Sequence, residues 1–310
     1  MVHEFSEWDR NCLESELADH YRFLTAEEIC AAEVVVTQEI PTDFLDGASQ
    51  LKLVQTPGAG VDKLDLDALS ARGIMVSNSH SAAPFVAEHA LAMLMDLMKK
   101  ISVHDRNMKK GQWFRPKSQS ESEHLFSDSL IGKSIGFVGF GHVGKAIATL
   151  LSGFNVRTLA HTRAWKSRVN ENGTAPEFVD LDHLLSNSDA IFITLPSTPE
   201  TKAIIKRREL DLIKPNAYLI NVGRSEVIDE AALLDALKNN KIRGAGLDVW
   251  QDGLASAANF AALDHRIIMS PHRAGTDRKA SPNLKGVIEA LRGYATKGRF
   301  DTLIEADVGY

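Results

Sequence analysis

Short apolar runs rich in β-branched residues recur along this chain, and polar segments separate them. In the first part they are Val34–Thr37, Leu51–Gln55 and Ile74–Ser77, with a helical spacing over Leu64–Ala71. Such brief runs, bounded by turn formers, read as strands. From Ser134 onward the alternation becomes regular. Ile135–Val138, Val156–Ala160, Ala190–Pro196, Ala217–Val222, Gly244–Val249 and Ile267–Pro271 are strand-like, with helical stretches such as Glu230–Asn239 between them. These runs are continuously apolar rather than alternating, so each strand is buried on both faces, as in a parallel sheet covered by helices. The pattern predicts an α/β protein of two Rossmann-like domains, with doubly wound parallel sheets and a cleft between them. One domain is made of residues 1–81 and 278–310, the other of residues 82–277. Ala83–Ile101 is predicted as one long helix opening near Pro84, and Ser281–Thr296 as a final helix. Residues 105–129 read as a polar connection anchored by Trp113 and Phe114, and Phe300–Tyr310 as a short docked tail. The apolar surface of Ala83–Ile101 is wide, which predicts burial against a second copy in a homodimer, although an interdomain helix explains it as well.

One stretch is chemically specific. The strand Ile135–Val138 runs into Gly139-Phe140-Gly141-His142-Val143-Gly144 and then into an Ala-rich helical segment through Leu151. Strand, G-x-G-x-x-G and helix in that order form a dinucleotide-binding turn. Gly139 permits the turn, Gly141 lets a pyrophosphate approach the backbone, and Gly144 lets the helix pack close. The amides near His142 and Val143 face the phosphates. At the end of the next strand, where an NAD site carries an Asp or Glu for the ribose hydroxyl, the chain has Thr162 and Arg163, then Lys166 and Arg168. An arginine and a hydroxyl suit a 2′-phosphate, so NADP(H) is expected over NAD(H). The other reading of this basic run is a solvated surface.

Composition narrows the classes. The 310 residues carry 35 basic and 41 acidic side chains, a net charge of -6, which argues against nucleic acid or an anionic membrane as partner. The two cysteines, Cys12 and Cys30, lack metal-ligand spacing and read as reduced packing residues, and no metal site is expected. The start of the chain lacks the basic and apolar regions of a signal peptide, and the apolar run Ala90–Met98 is too short to span a bilayer. A cytoplasmic location is expected.

Further segments complete the picture: Leu219-Ile220-Asn221-Val222-Gly223-Arg224-Ser225, Gly244-Ala245-Gly246-Leu247-Asp248-Val249-Trp250 and Ser270-Pro271-His272-Arg273-Ala274-Gly275. Each sets a polar residue just past a predicted strand, at the edge where such sheets bind ligands. Together with the glycine turn, Gly58-Ala59-Gly60-Val61-Asp62, Phe85-Val86-Ala87-Glu88-His89 and Leu195–Thr201, they resemble the D-isomer-specific 2-hydroxyacid dehydrogenases, glyoxylate/hydroxypyruvate reductases among them. The resemblance implies hydride transfer between NAD(P)H and C2 of a small 2-keto or 2-hydroxy acid. It makes residues 1–81 and 278–310 the substrate-binding domain and 82–277 the dinucleotide-binding domain. Arg224 would bind the substrate carboxylate and carbonyl. His272 would be the acid/base. Ala59 and Gly60 amides would hold the carboxylate. Asp248 and the backbone near Val222 would hold the nicotinamide carboxamide, and Leu195 and Pro196 would border the adenosine. From the residues alone the Gly58–Asp62 loop is a plain turn. One departure stands out. Where the family carries a glutamate that pairs with the histidine, followed by proline, this chain has Gly253 and Leu254, with Asp252 one position early. Asp252 either orients His272 or is an ordinary loop acid. Arg273, where the family more often has an apolar residue, either selects a second acidic group on the substrate or points elsewhere. The missing glutamate supports one alternative function, a dinucleotide-responsive binding protein with weakened catalysis.

Overall fold

Ser6 opens the first helix, α1 (Glu7–Leu17), through a reciprocal cap. Its hydroxyl accepts from the Asp9 N–H at 3.2 Å, and the Asp9 carboxylate accepts from the Ser6 N–H at 3.0 Å. The computed structural model describes residues 6–25, 27–113, 126–163, 176–277, 281–298, 300 and 302–304. They fall into two units, residues 1–82 with 276–310, and residues 83–275. After α1 come β1 (Val34–Val36), α2 (Thr42–Gly47), β2 (Leu53–Gln55), α3 (Leu66–Ala71) and β3 (Met75–Ser77). The second unit contains α4 (Ala83–Lys99), α5 (Ile101–Lys109), β4 (Ser134–Val138), α6 (His142–Leu151), β5 (Arg157–His161) and β6 (Glu177–Phe178). It continues through α7 (Leu181–Asn187), β7 (Ala190–Ile193), α8 (Arg207–Leu212), β8 (Tyr218–Asn221), α9 (Glu230–Lys238), β9 (Gly244–Leu247), α10 (Leu254–Phe260) and β10 (Ile267–Met269). The chain then returns to the first unit with α11 (Pro282–Lys297) and β11 (Leu303–Ile304).

In the first unit the sheet order is β1-β2-β3-β11, the first three strands parallel and β11 antiparallel to β3, with Leu303 opposite Ser77. The described part of the tail is thus docked as an edge strand. α1 and α11 share an apolar cluster of Leu13, Leu17, Leu284, Val287 and Leu291. The Tyr21 hydroxyl donates to the Leu291 carbonyl at 2.8 Å, and Arg292 pairs with Glu16 at 2.7 Å.

The second unit is built on seven parallel strands in the order β10-β9-β8-β7-β4-β5-β6. Strand order reverses between β4 and β7, which leaves a crevice outside their carboxyl ends. Both faces are buried, and the period of two sorts side chains between them. Phe137, Phe192 and Ile220 face a cluster with Ala87, Met93, Leu94 and Leu97 of α4 and Ile147 and Leu151 of α6. Val138, Ile191, Ile193 and Leu219 face the opposite cluster, with Leu184 of α7, Leu210 of α8, Leu237 of α9 and Phe260 of α10.

Three expectations need correction. The helix predicted over Ala83–Ile101 breaks at Lys100, whose φ of 58° stops one helix before α5 begins another. Trp113 is 71% exposed and joins no core cluster of the described residues, and Phe114 lies outside the described residues. Cys30 is exposed rather than packed; both cysteines are free thiols. Among the described residues no helix is long and apolar enough to cross a membrane.

Candidate active site

The glycine turn follows β4 at the crevice. Gly139 has φ 90°, and a Cβ there would stand 2.9 Å from Leu195 Cδ2, so only glycine fits the bend. The bend is pinned by the Gly139 N–H on the His161 carbonyl at 2.9 Å and by the Thr194 hydroxyl on the Gly139 carbonyl at 3.0 Å. A Cβ on Gly141 would meet nothing within 4 Å, which leaves that backbone open to a ligand. α6 starts at His142, so the amides of His142, Val143 and Gly144 lie in its first turn, where N–H groups lack helical acceptors and the dipole favours an anion. Burial, with Lys145 next in effect, holds the His142 pKa below its usual value. The imidazole is therefore neutral at pH 7.

At the end of β5 the Thr162 hydroxyl oxygen is buried without a hydrogen-bond partner, and Arg163 next to it is exposed. An orphaned hydroxyl beside a guanidinium fits a phosphate ester. Lys166 and Arg168 lie outside the described residues. Past β7, the Thr201 hydroxyl ties the Pro196 carbonyl at 2.7 Å, fixing the Leu195–Pro196 edge. The chemistry of these residues fits a dinucleotide.

Past β8, buried Asn221 shapes the loop that carries Arg224. Its Nδ2 donates to the Arg224 carbonyl at 3.0 Å, and its Oδ1 accepts from the Gly223 N–H at 3.1 Å. Gly223 is required by close approach, since a Cβ there would lie 2.5 Å from the Leu195 carbonyl oxygen. The Val222 N–H donates to the Ile193 carbonyl at 3.2 Å.

Past β9 stands Asp248, 1% exposed. Its carboxylate accepts from the Ser270 hydroxyl at 2.6 Å, the Arg273 N–H at 2.9 Å and the Ala274 N–H at 3.0 Å, while its carbonyl accepts from the His272 N–H at 2.7 Å. Asp248 thus holds the whole turn after β10 that presents His272. That turn keeps His272 at φ 55°, an unusual conformation for a side-chain-bearing residue. His89 of α4 completes the arrangement, its Nε2 lying 2.9 Å from Ser270 Oγ and 3.9 Å from Asp248 Oδ1. The Ser270 proton is already on Asp248, so His89 Nε2 must be the donor. Trp250 Nε1 donates to the Ser270 carbonyl at 3.0 Å.

The His272 side chain makes no hydrogen bond or ion pair with any described residue, Asp252 included. Asp252 lies exposed before α10, its N–H on the Ser256 hydroxyl at 3.1 Å and its carbonyl accepting from Ala255 at 3.2 Å. Gly253, at φ 55°, turns the chain directly into α10. Arg273 is exposed beside His272.

In the first unit, the loop after β2 is tied back by its carbonyls. The Gly58 carbonyl accepts from the Thr56 hydroxyl at 2.7 Å and the Ser79 N–H at 3.1 Å, and the Ala59 carbonyl from Asn78 Nδ2 at 2.9 Å. The Ala59 and Gly60 N–H groups have no acceptor among the described residues, the arrangement of an anion nest. Asn221, Gly223, His89 and Ser270 had no assigned role at the level of sequence. The signal for Asn221 and Ser270 was a polar residue at a strand's carboxyl end, and for His89 and Gly223 only their place in the segments that carry the family resemblance.

Residues 91–274 match the model of the "D-isomer specific 2-hydroxyacid dehydrogenase, NAD binding domain". The chain belongs to the D-isomer specific 2-hydroxyacid dehydrogenase family. It is 32% identical to the glyoxylate reductase of Pyrococcus furiosus over 246 residues, 79% of this chain and 73% of that protein. Among solved structures it resembles an acyclic imino acid reductase (Bsp5) in complex with NADPH and D-Arg, with TM-score 0.78 and 26% identity over 98% of this chain and 97% of that one. It also resembles the NADPH-dependent glyoxylate/hydroxypyruvate reductase of Sinorhizobium meliloti in complex with NADP and malonate, with TM-score 0.71 and 25% identity over 92% and 87% of the two chains. As a member of the 2-hydroxyacid dehydrogenase family, the chain is an oxidoreductase that works with a nicotinamide cofactor on 2-keto or 2-hydroxy acids.

Proposed function

We propose that this dehydrogenase is an NADP(H)-preferring reductase of small 2-keto acids such as glyoxylate or hydroxypyruvate. The observation that carries the cofactor preference is the buried, unpartnered Thr162 hydroxyl beside Arg163, at the strand end where an NAD site needs a carboxylate. The glycine turn and the His142 and Val143 amides hold the pyrophosphate, and Leu195 and Pro196 border the adenosine. When bound, the cofactor supplies or accepts the hydride. Arg224 binds the substrate carboxylate and polarises its carbonyl. The Ala59 and Gly60 amides, which have no acceptor among the described residues, take the remaining carboxylate oxygen. His272 donates a proton to the carbonyl oxygen on reduction and removes it on oxidation. Asp248 fixes the turn that aims His272. Among the described residues its Oδ2 accepts only from Ala274, so it keeps capacity for the nicotinamide carboxamide. Asp252 has no hydrogen bond or ion pair to His272 among the described residues, which supports a histidine that works without that acid. Arg273 borders the acyl end of the substrate.

The exposed Ile101, Met108 and Trp113, on and just after α5, support a homodimer through this face. Purified protein mixed with NADPH and a panel of 2-keto acids is expected to consume NADPH, followed by its absorbance, and to do so faster than NADH at equal concentration. Silence with every acid at several pH values would remove the proposal. Equal rates with the two cofactors would remove the NADP preference alone.

A further inference from the structure

The opposite edge of the seven-stranded sheet, where β8, β9 and β10 begin, carries a cavity of about 640 Å³ lined by Lys100, Asn216, Asn240, Arg243, His265 and Arg266. It lies at the opposite edge of the sheet from the residues given a catalytic or cofactor role above, next to the start of α5. Lys100 is the unusual member. Placed at the break between α4 and α5, it is only 2% exposed. Its ammonium makes one hydrogen bond, to the His265 carbonyl at 3.3 Å, and stands 5.9 Å from the centroid of the Tyr218 ring. An ammonium has three donors, and a buried charge is costly unless paired.

The nearby acids are committed elsewhere. Asp96 accepts from the Ser102 N–H and hydroxyl, Asp264 pairs with Arg106 at 3.0 Å, and Asp128 pairs with Arg243 at 3.7 Å while accepting from the Tyr218 hydroxyl. No carboxylate of the described residues forms an ion pair with Lys100. Arg266 is held by the carbonyls of Leu237, Ile242 and Arg243 and by Asn240 Oδ1, which fixes its positive charge at the cavity wall. Of these three cations, Arg243 is the one with an ion pair to a carboxylate of the described residues, Asp128, so positive charge is in excess among them. The surplus shows in Lys100 itself, whose pKa is pushed down to about 8 by burial first and by Arg243 next, with Arg266 adding and Asp128 and Asp96 opposing.

We propose that this cavity is an anion site that takes a dianionic phosphate group, that of a small phosphate monoester. Lys100 and Arg243 are its charged donors, Asn216 and the Nδ2 of Asn240 its neutral ones, and Arg266 contributes field. A tetrahedral dianion matches the surplus charge and can bond to several loops at once, which a single carboxylate cannot. The cavity's volume falls in the range of small-molecule sites.

The test is thermal unfolding and calorimetric titration of the full chain with inorganic phosphate, against sodium chloride at matched ionic strength, with malonate as a second dianion. Wild type, Lys100→Met and Arg243→Gln are compared. Phosphate is expected to raise the wild-type Tm saturably and beyond chloride, and each substitution to weaken its apparent affinity by about tenfold or more. Lys100→Met without phosphate should melt no lower than wild type, since it removes an unpaired buried charge, and Arg243→Gln serves if it does not fold. A phosphate response identical in wild type and both variants belongs to the cofactor turn and overturns the site. So does a response equal to that of chloride. Malonate binding as tightly as phosphate overturns the phosphate assignment.

Discussion

His272 holds a left-handed backbone that costs a residue with a side chain about 1–3 kcal/mol, and Asp248 supplies the bonds that keep it there. Replacing His272 with Gln should lower kcat by about 10²–10⁴-fold while leaving NADPH affinity within about twofold. Steady-state rates and a fluorescence titration read the two effects, and a dinucleotide-responsive binding protein would have no rate to lose. Asp248→Asn keeps one acceptor, for the Ser270 hydroxyl and the Arg273 N–H, but sets an NH2 donor against the Ala274 N–H. It should destabilise the protein by about 1–3 kcal/mol, measured by denaturant unfolding, and lower kcat with it. Arg163→Ala should weaken NADPH by about 10–100-fold and NADH by no more than about twofold, if its guanidinium meets the 2′-phosphate. Equal losses for both cofactors would place Arg163 outside that contact.

At the scale of elements, the site is a set of strand ends brought together by one parallel register. Gly223 and Leu195 show how close those ends come: a Cβ on Gly223 would lie 2.5 Å from the Leu195 carbonyl oxygen, so one end must move to admit a methyl group. Gly223→Ala is expected to cost about 1–3 kcal/mol in stability and to depress kcat/KM, because the loop that carries Arg224 shifts with it. Wild-type stability and kinetics in this variant would show that the loops are slack. The strands were legible in the chain because they are short apolar runs, and β4, β5, β7, β8 and β9 lie where those runs do to within three residues at each end, whereas the two-residue β6 has no such run and was missed. The break at Lys100 was not legible. Lysine is a good helix former, and nothing local to it demands a positive φ. α1 was missed for a related reason. It buries only Leu13 and Leu17, so its apolar signal is sparse, and its evident start is the Ser6–Asp9 cap.

For the whole molecule, Lys100 makes stability depend on pH in a stated direction. Its folded-state pKa of about 8 lies below the ordinary 10.5, so the folded state disfavours the charged form. The resulting destabilisation is complete below about pH 8 and fades as pH rises toward 10.5. The Tm of Lys100→Met should therefore exceed that of wild type at pH 7, and the gap should narrow by pH 10 in low-phosphate buffer. A gap that is constant with pH would mean that Lys100 is not desolvated. Homodimer formation through α5 predicts twice the chain mass in light scattering at micromolar concentration, and Trp113→Ala with Met108→Ala should shift that mass toward the monomer.

By itself the sequence determined the α/β class, the glycine turn after Val138 and the family, because each is written in contiguous residues. A strand's period, a turn's need for glycine and a helix's first amides are local properties. Only the tertiary structure shows Asp252 engaged with Ser256 and Ala255 and without a hydrogen bond or ion pair to His272 among the described residues, as Gly253 turns the chain at once into α10. It alone joined His89 to Ser270, 181 positions apart, and both to Asp248. It alone left Lys100 buried and without an ion pair among the described residues. Burial and pairing are set by which distant segments meet, and parallel strands joined through helices bring together residues that no local pattern connects.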